Sequence, residues 1–222
     1  MTGPNFILET EAAQYLKRFN IPYPNHGLAK DPDEAVRLAQ GIGYPVVMKI
    51  VSPQVVHKSE AGGVAVGLKS ADEVKAAWTK ITESVKAKVP EAEIEGLLVC
   101  AQAQPGVEVI VGGLRDGIFG PAVMVGLGGI FTEILKDVAF RVYPLSEAEA
   151  LKMLAELKGY PLLTGARGRE AVDIKALAAL VVSVAQLMND CPEVAELDLN
   201  PVLVYPGKVL PVDARISVIQ PE

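Results

Sequence analysis

The sequence predicts an α+β protein, and three observations carry that reading. Apolar runs of six to eight residues rich in β-branched side chains alternate along the chain with longer segments of helical periodicity. Helix-start signatures (a capping Ser or Asp with a Glu three residues on) recur at Asp31, Ser70 and Ser146, so helices interrupt the strands throughout. At 222 residues, the chain is long enough for one large domain or two small ones, each with its own core. Mixed elements in this order argue for layered helices and sheets, against a bundle or a sandwich.

The elements follow in order. Leu8 to Phe19 places Leu8, Ala12, Tyr15, Leu16 and Phe19 on one helical stripe, and Asn20 to Lys30, broken by Pro22 and Pro24, reads as a linker. Asp31-Pro32 opens a helix that ends at Gly41 or Gly43. Tyr44–Val51 and Gly63–Leu68 read as strands, and Ser70 starts a helix to about Lys88. Gly96–Ala101 is a buried strand. Val107 to Val125 is a hairpin turning at Leu114–Gly117, and Val138–Tyr143 is another strand. A helix from Ser146 and a long apolar helix capped by Asp173 precede two final strands, to Val204 and from Val209 to Ile216. The acidic loop Val89–Glu95 is the expected seam, dividing the chain into residues 1–95 and 96–222.

Composition excludes several classes. A net charge of −6 argues against nucleic acid as a partner. No apolar run reaches the roughly 18 residues of a membrane span, and no secretory pattern is visible, so a cytoplasmic setting is expected. Cys100 and Cys191 make neither a disulfide framework nor a zinc site and are expected to be buried.

Chemistry concentrates in three places. His57, one of two histidines, precedes Lys58 and a Gly62-Gly63 turn, where N–H groups without Cβ bulk could approach phosphate oxygens. Taken alone, such a histidine is usually a solvated loop residue or a core hydrogen-bonder, and His26 is read that way. Further glycine-rich loops at 126–129 and 165–168, the latter with Arg167 and Arg169, strengthen a phosphate reading. Neither is a P-loop or a dinucleotide fingerprint. Near the C-terminus, alternation puts Glu196, Asp198 and Asn200 on one strand face, and Asp213 on the next strand can oppose Asn200. Such an Asn–Asp oxygen pair suits Mg²⁺ on a nucleotide; the alternative is an exposed polar face. Lys49, inside an apolar strand, needs an anion, either a phosphate or an internal carboxylate.

Five stretches together resemble one family: Tyr44–Lys49, His57–Val64, Gly126–Glu133 with Lys136–Arg141, Glu196–Pro201 and Val212–Ile216. They resemble the nucleotide-binding subunit of ADP-forming acetyl-CoA or acyl-CoA synthetases, relatives of succinyl-CoA synthetase, over residues 8 to 217 or so. The resemblance implies the ATP-grasp fold, with ATP or ADP held between two α+β lobes, and a separate α-type subunit that carries the CoA-binding and ligase lobes. It implies the reaction acyl-CoA + ADP + phosphate ⇌ carboxylic acid + ATP + CoA, with His57 passing the phosphoryl group to ADP and Asp198 assisting it. Lys49, Gly62, Gly63, Glu108, Gly128, Gly129, Arg141 and Arg167 then match nucleotide or phosphate contacts, and Asn200 and Asp213 match Mg²⁺ ligands. The hinge Val99-Cys100-Ala101-Gln102 matches the adenine-contacting stretch, with Ala101 where relatives often have Glu. Two alternatives stay open: an ATP-grasp carboxylate ligase without a phosphohistidine, and a non-catalytic nucleotide-binding subunit.

Overall fold

The computed structural model describes residues 5–128, 136–168 and 170–219. In chain order its elements are β1 (Asn5–Phe6), α1 (Glu9–Arg18), β2 (His26–Ala29), α2 (Pro32–Ile42), β3 (Val46–Val51), β4 (Val64–Leu68), α3 (Ala71–Lys88), β5 (Gly96–Ala101), β6 (Val107–Asp116), β7 (Gly120–Leu127), β8 (Val138–Val142), α4 (Glu147–Ala155), α5 (Tyr160–Leu163), a 3₁₀ turn (Ala166–Gly168), α6 (Ile174–Asp190), β9 (Val194–Tyr205), β10 (Lys208–Pro211) and β11 (Ala214–Val218). Among the described residues no helix is long and apolar enough to cross a membrane.

The helix starts expected from sequence form as capped ends. Asp31 Oδ1 accepts from the Glu34 N–H at 2.7 Å, and Ser70 Oγ and Ser146 Oγ accept from the Glu73 and Glu149 N–H groups at 3.2 Å each. Asp173 caps α6 through the Ala176 N–H at 2.9 Å. Each bond satisfies one of the N–H groups that the first helical turn leaves without a partner.

Two compact units emerge, and their boundaries correct the expected seam at 95/96. Pro24–Ala103 forms one unit; the residues up to Tyr23 and those from Gln104 onward form the other. The reason is strand pairing. β5 is an inner strand of the smaller unit's sheet, ordered β2-β5-β3-β4, so the chain cannot leave that unit before Ala101. β2 itself lies in the expected linker, where it pairs with β5 from His26↔Cys100 to Ala29↔Leu97. β1 instead pairs with β11, and α1 buries Ala12 and Leu16 in the larger unit's core.

In the smaller unit, α2 and α3 cover one face of the four-stranded sheet. Met48 and Ile50 of β3 and Leu97 and Val99 of β5 meet Ala35, Ala39, Val74, Ile81 and Val85 there. In the larger unit the sheet runs β1-β11-β9-β6-β7-β8, with β10 also paired to β9. Its covered face (Val109, Val111, Val123, Val125, Leu197, Leu199) packs on α6 through Leu177, Val181, Val184 and Met188. The β6–β7 turn lies at Gly117–Phe119, three residues beyond the expected position, since β6 continues to Asp116. There the Asp116 carboxylate accepts from the Ile118 and Phe119 N–H groups, 2.8 Å each, and closes the turn. The expected last strand divides into β10 and β11 around Val212 and Asp213. Cys100 and Cys191 are buried free thiols.

One arginine closes the end of α6. Arg115, on the covered face of β6, donates from Nε to the Val194 carbonyl (3.2 Å) and from its terminal nitrogen to the carbonyls of Cys191 (3.1 Å) and Met188. The last helical carbonyls have no partner within the helix, so one guanidinium satisfies the helix end and the entry to β9. Arg115→Ala is expected to lower unfolding free energy by about 2–3 kcal/mol, with partial recovery in Arg115→Lys, as measured by urea denaturation.

Candidate functional site

The groups singled out from sequence fall in both units. In the smaller unit, Lys49 sits between the core residues Met48 and Ile50 on β3, so alternation points it to the face away from α2 and α3. It is 7% exposed, opposite Leu98 on β5 and Val64 on β4.

His57 stands on the 12-residue connection between β3 and β4. Val55 and Ala61, on either side of it, are buried in the helix-side core, while His57 itself is exposed. The loop is held by its own backbone. Ala61 N–H donates to the His57 carbonyl (3.2 Å), Gly62 N–H to the Ser59 carbonyl (3.0 Å) and Gly63 N–H to the Lys58 carbonyl (2.7 Å). The expectation that the Gly62 and Gly63 N–H groups cradle a phosphate is therefore corrected: both are spent closing the loop. Gly62 is required for another reason. Its φ is +71°, and a Cβ there would stand 2.3 Å from Ser84 Oγ of α3.

The hinge is corrected in part. Val99 is fully buried in the helix-side core, and Cys100 is 3% exposed. The Ala101 N–H donates to the Asn25 carbonyl (2.8 Å), and the Gln102 N–H to the Pro45 carbonyl (3.2 Å). Gln102 Oε1 accepts from the Gly67 N–H at 2.6 Å. An inner strand spends its side chains and amides on its neighbours, so Val99 and these two N–H groups are not presented to a base.

The expected acids lie in the larger unit, on β9 and just before β11. Leu197 and Leu199 point into the core, so Glu196, Asp198 and Asn200 stand on the uncovered face of β9. The antiparallel register sets Arg215 opposite Asp198 and Ala214 opposite Leu199. At the next step, the Asn200 N–H donates to the Asp213 carbonyl at 3.3 Å. Asn200 on β9 and Asp213, just before β11, are thus neighbours through the backbone, and both are partly exposed. Among the described residues no group of three or more His, Cys, Asp or Glu side chains is gathered for a metal. The pair is a two-donor set of hard oxygens, which suits an ion completed by phosphate and water.

Arg215 had no assigned role in the sequence reading, although the strand register alone pairs it with Asp198. Its guanidinium lies 3.5 Å from the Asp198 carboxylate. Burial pushes the Asp198 carboxyl above the usual range. Arg215 pulls it back, and the charges of Asp213 and Glu196 add to the rise.

Glu108 is exposed on β6, and its carbonyl accepts from the Gly128 N–H at 2.8 Å. A Cβ on Gly128 would come within 2.8 Å of the Glu108 Cβ, so the glycine lets the start of the glycine-rich loop lie against Glu108. Gly129, the Arg167 side chain and Arg169 lie outside the described residues. Beyond the loop, buried Asp137 accepts from the Lys158 and Gly159 N–H groups at 2.8 Å each, an anchor that sequence reading missed.

Arg141 is a correction. It pairs in register with Val123, whose side chain is in the core, so it points to the helix side. There it binds Glu156 through both terminal nitrogens, one at 3.1 Å, and approaches Glu149 at 4.0 Å. The hydrogen bond to Glu156 raises the Arg141 pKa and, reciprocally, lowers that of Glu156. Its charge is matched locally, on the face away from Asp198 and Asn200.

An uncovered sheet face carrying an oxygen pair, and a histidine raised on an anchored loop, can now be set beside known proteins. A family model described as an ATP-grasp domain matches residues 2–218. The chain is 48% identical over 210 residues to the acetate–CoA ligase [ADP-forming] I subunit beta of Pyrococcus furiosus, covering 95% of this chain and 90% of that one. It belongs to the ATP-grasp family, among the β subunits of ADP-forming acetate–CoA ligases. Solved ATP-grasp relatives agree in fold. The dinucleotide forming acetyl-coenzyme A synthetase 1 of Ca. Korarchaeum cryptofilum, in complex with coenzyme A, Ca-AMPCP and HgCl+, superposes with a TM-score of 0.95 at 52% identity, over 98% of this chain and 95% of that one. A selenomethionine form of the same synthetase, in complex with coenzyme A and Mg-AMPPCP and with its phosphohistidine segment pointing towards the nucleotide binding site, gives 0.85 at 47% identity, over 97% and 93%.

The direction of the Asp198 shift has a consequence for stability. Because its folded pKa is raised, ionising Asp198 costs folding free energy, a cost absent below about pH 4 and complete above the folded pKa. Asp198→Asn removes the titration. It is expected to raise the melting temperature at pH 7, and thermal melts against pH should show the advantage vanish below about pH 4.

Proposed function

We propose that this chain is the nucleotide-binding subunit of an ADP-forming acyl-CoA synthetase, working with a separate α-type subunit in the reaction acyl-CoA + ADP + phosphate ⇌ carboxylic acid + ATP + CoA. The observation that carries the reading is His57, exposed on a loop anchored at Val55 and Ala61, in a chain that matches nine-tenths of an acetate–CoA ligase β subunit. The phosphohistidine segment named for the Korarchaeum synthetase supports phosphoryl transfer through histidine.

In this reading an unprotonated imidazole nitrogen of His57 attacks the phosphorus delivered by the partner. A P–N bond forms as the bond to the donor breaks. A terminal phosphate oxygen of ADP then attacks the same phosphorus, and the P–N electron pair returns to the ring. Lys49 supplies positive charge to the nucleotide phosphates, and Glu108 and Gly128 are further residues assigned to nucleotide contact. Asp198 is the acid assigned to the transfer, held by Arg215.

Asn200 and Asp213, joined by a backbone hydrogen bond, would hold Mg²⁺, since one amide and one carboxylate oxygen leave most positions to phosphate and water. Bound there, the ion would offset charge on the phosphoryl oxygens. The CoA-binding and ligase lobes belong to the partner. The name "subunit beta" of the Pyrococcus relative supports that division.

His57→Ala is expected to lower turnover with the α-type partner by roughly a thousandfold or more, while ADP affinity stays within about twofold. Turnover near the wild-type rate would remove the relay. Asn200→Ala and Asp213→Ala should each weaken Mg-ADP binding by about tenfold, some 1.4 kcal/mol. Calorimetric titration giving unchanged affinity would refute the metal assignment.

A further inference from the structure

The loop that raises His57 is fastened at one more place, by α3. Ser84 Oγ donates to the Ala61 carbonyl at 3.0 Å, and Lys88 Nζ donates to the Glu60 carbonyl at 2.7 Å. Ser84 and Lys88 are four residues apart, so both project from one face of the last turn of α3. Their acceptors are consecutive carbonyls, three and four residues after His57. The Ala61 N–H returns to the His57 carbonyl, so the α3 clamp lies one residue's backbone from the imidazole's own peptide unit.

Gly62 belongs to the same device. A Cβ at Gly62 would stand 2.3 Å from Ser84 Oγ and 3.1 Å from Ser84 Cβ, so only a residue without a side chain lets α3 close on the Ala61 carbonyl. The Gly62 N–H is turned inward to the Ser59 carbonyl, which leaves this glycine a seat for the clamp. The fastening is separate from the apolar packing: Val55 and Ala61 hold the loop by burial, whereas Ser84 and the exposed Lys88 hold it by hydrogen bonds to its backbone.

We propose that Ser84 and Lys88 are positioning residues for phosphoryl transfer, which fix the His57 loop from the last turn of α3 through the carbonyls of Ala61 and Glu60. The inference rests on the relay role of His57. A nucleophile must arrive within a few tenths of an ångström of its line of attack, and a displacement of about 1 Å can cost about a hundredfold in rate. Two hydrogen bonds to main-chain carbonyls resist such drift without placing another side chain beside the phosphoryl group.

The test uses the full chain assembled with its α-type partner, with acetyl-CoA, ADP, phosphate and Mg²⁺ as probes. Two readings are taken: steady-state turnover, and formation of acid-labile phosphohistidine on this chain from γ-labelled ATP. Ser84→Ala and Lys88→Met are each expected to lower kcat and the labelling rate about tenfold, and more when combined. The KM for ADP and the melting temperature should hold, and Lys88→Arg, which keeps a donor at the same reach, should restore the rate. With His57→Ala inactive as the internal control, a double variant at full kcat would overturn the clamp and leave the relay standing. A loss matched by a rise in KM or a fall in melting temperature would overturn it too, as the mark of a merely structural contact. A fully active His57→Ala would instead remove the relay, and the clamp with it.

Discussion

Both units obey one constraint: helices claim one face of each sheet, and among the described residues Lys49, Asp198 and Asn200 stand on the other. Alternation along a strand makes this strict, because a residue beside a core side chain must point away from the core. Lys49 lies between Met48 and Ile50, and Asp198 is flanked by Leu197 and Leu199. A one-residue slip would bury the charges and expose the leucines, so the cores of the two units hold the register that the chemistry needs.

Arg141 shows the constraint from its other side. It is a charged candidate that falls on the covered face, and there its charge is matched by Glu156 and Glu149. Position relative to the core thus makes Arg141 a residue that braces α4. Asp198 carries the opposite burden. Burial and the neighbouring carboxylates work against its ionised form, and Arg215 recovers only part of that cost.

Glycine in this chain serves closure more than phosphate contact, at least in the His57 loop. Gly62 and Gly63 give their N–H groups to Ser59 and Lys58, and Gly62 admits α3 to the loop. Gly128 likewise lets β7 end against Glu108. In each case a missing side chain allows two segments to approach.

The sequence by itself determined most of the longer helices and strands, the helix caps, the alternation that turns Asp198 and Asn200 outward, and the family. These depend on local propensity, on periodicity and on residues in order, all of which are written along the chain. The turn after β6, the strand hidden at His26–Ala29 and the division into units were decided by pairing. β2 earns its place only beside β5, and the N-terminal residues only beside β11. The fate of Arg141, the engaged N–H groups of Gly62, Gly63, Ala101 and Gln102, and the bonds from Ser84 and Lys88 also came from tertiary structure alone. A hydrogen bond between residues more than twenty positions apart, such as Ser84 to Ala61, leaves no periodic trace, because either partner alone would suit many other surroundings.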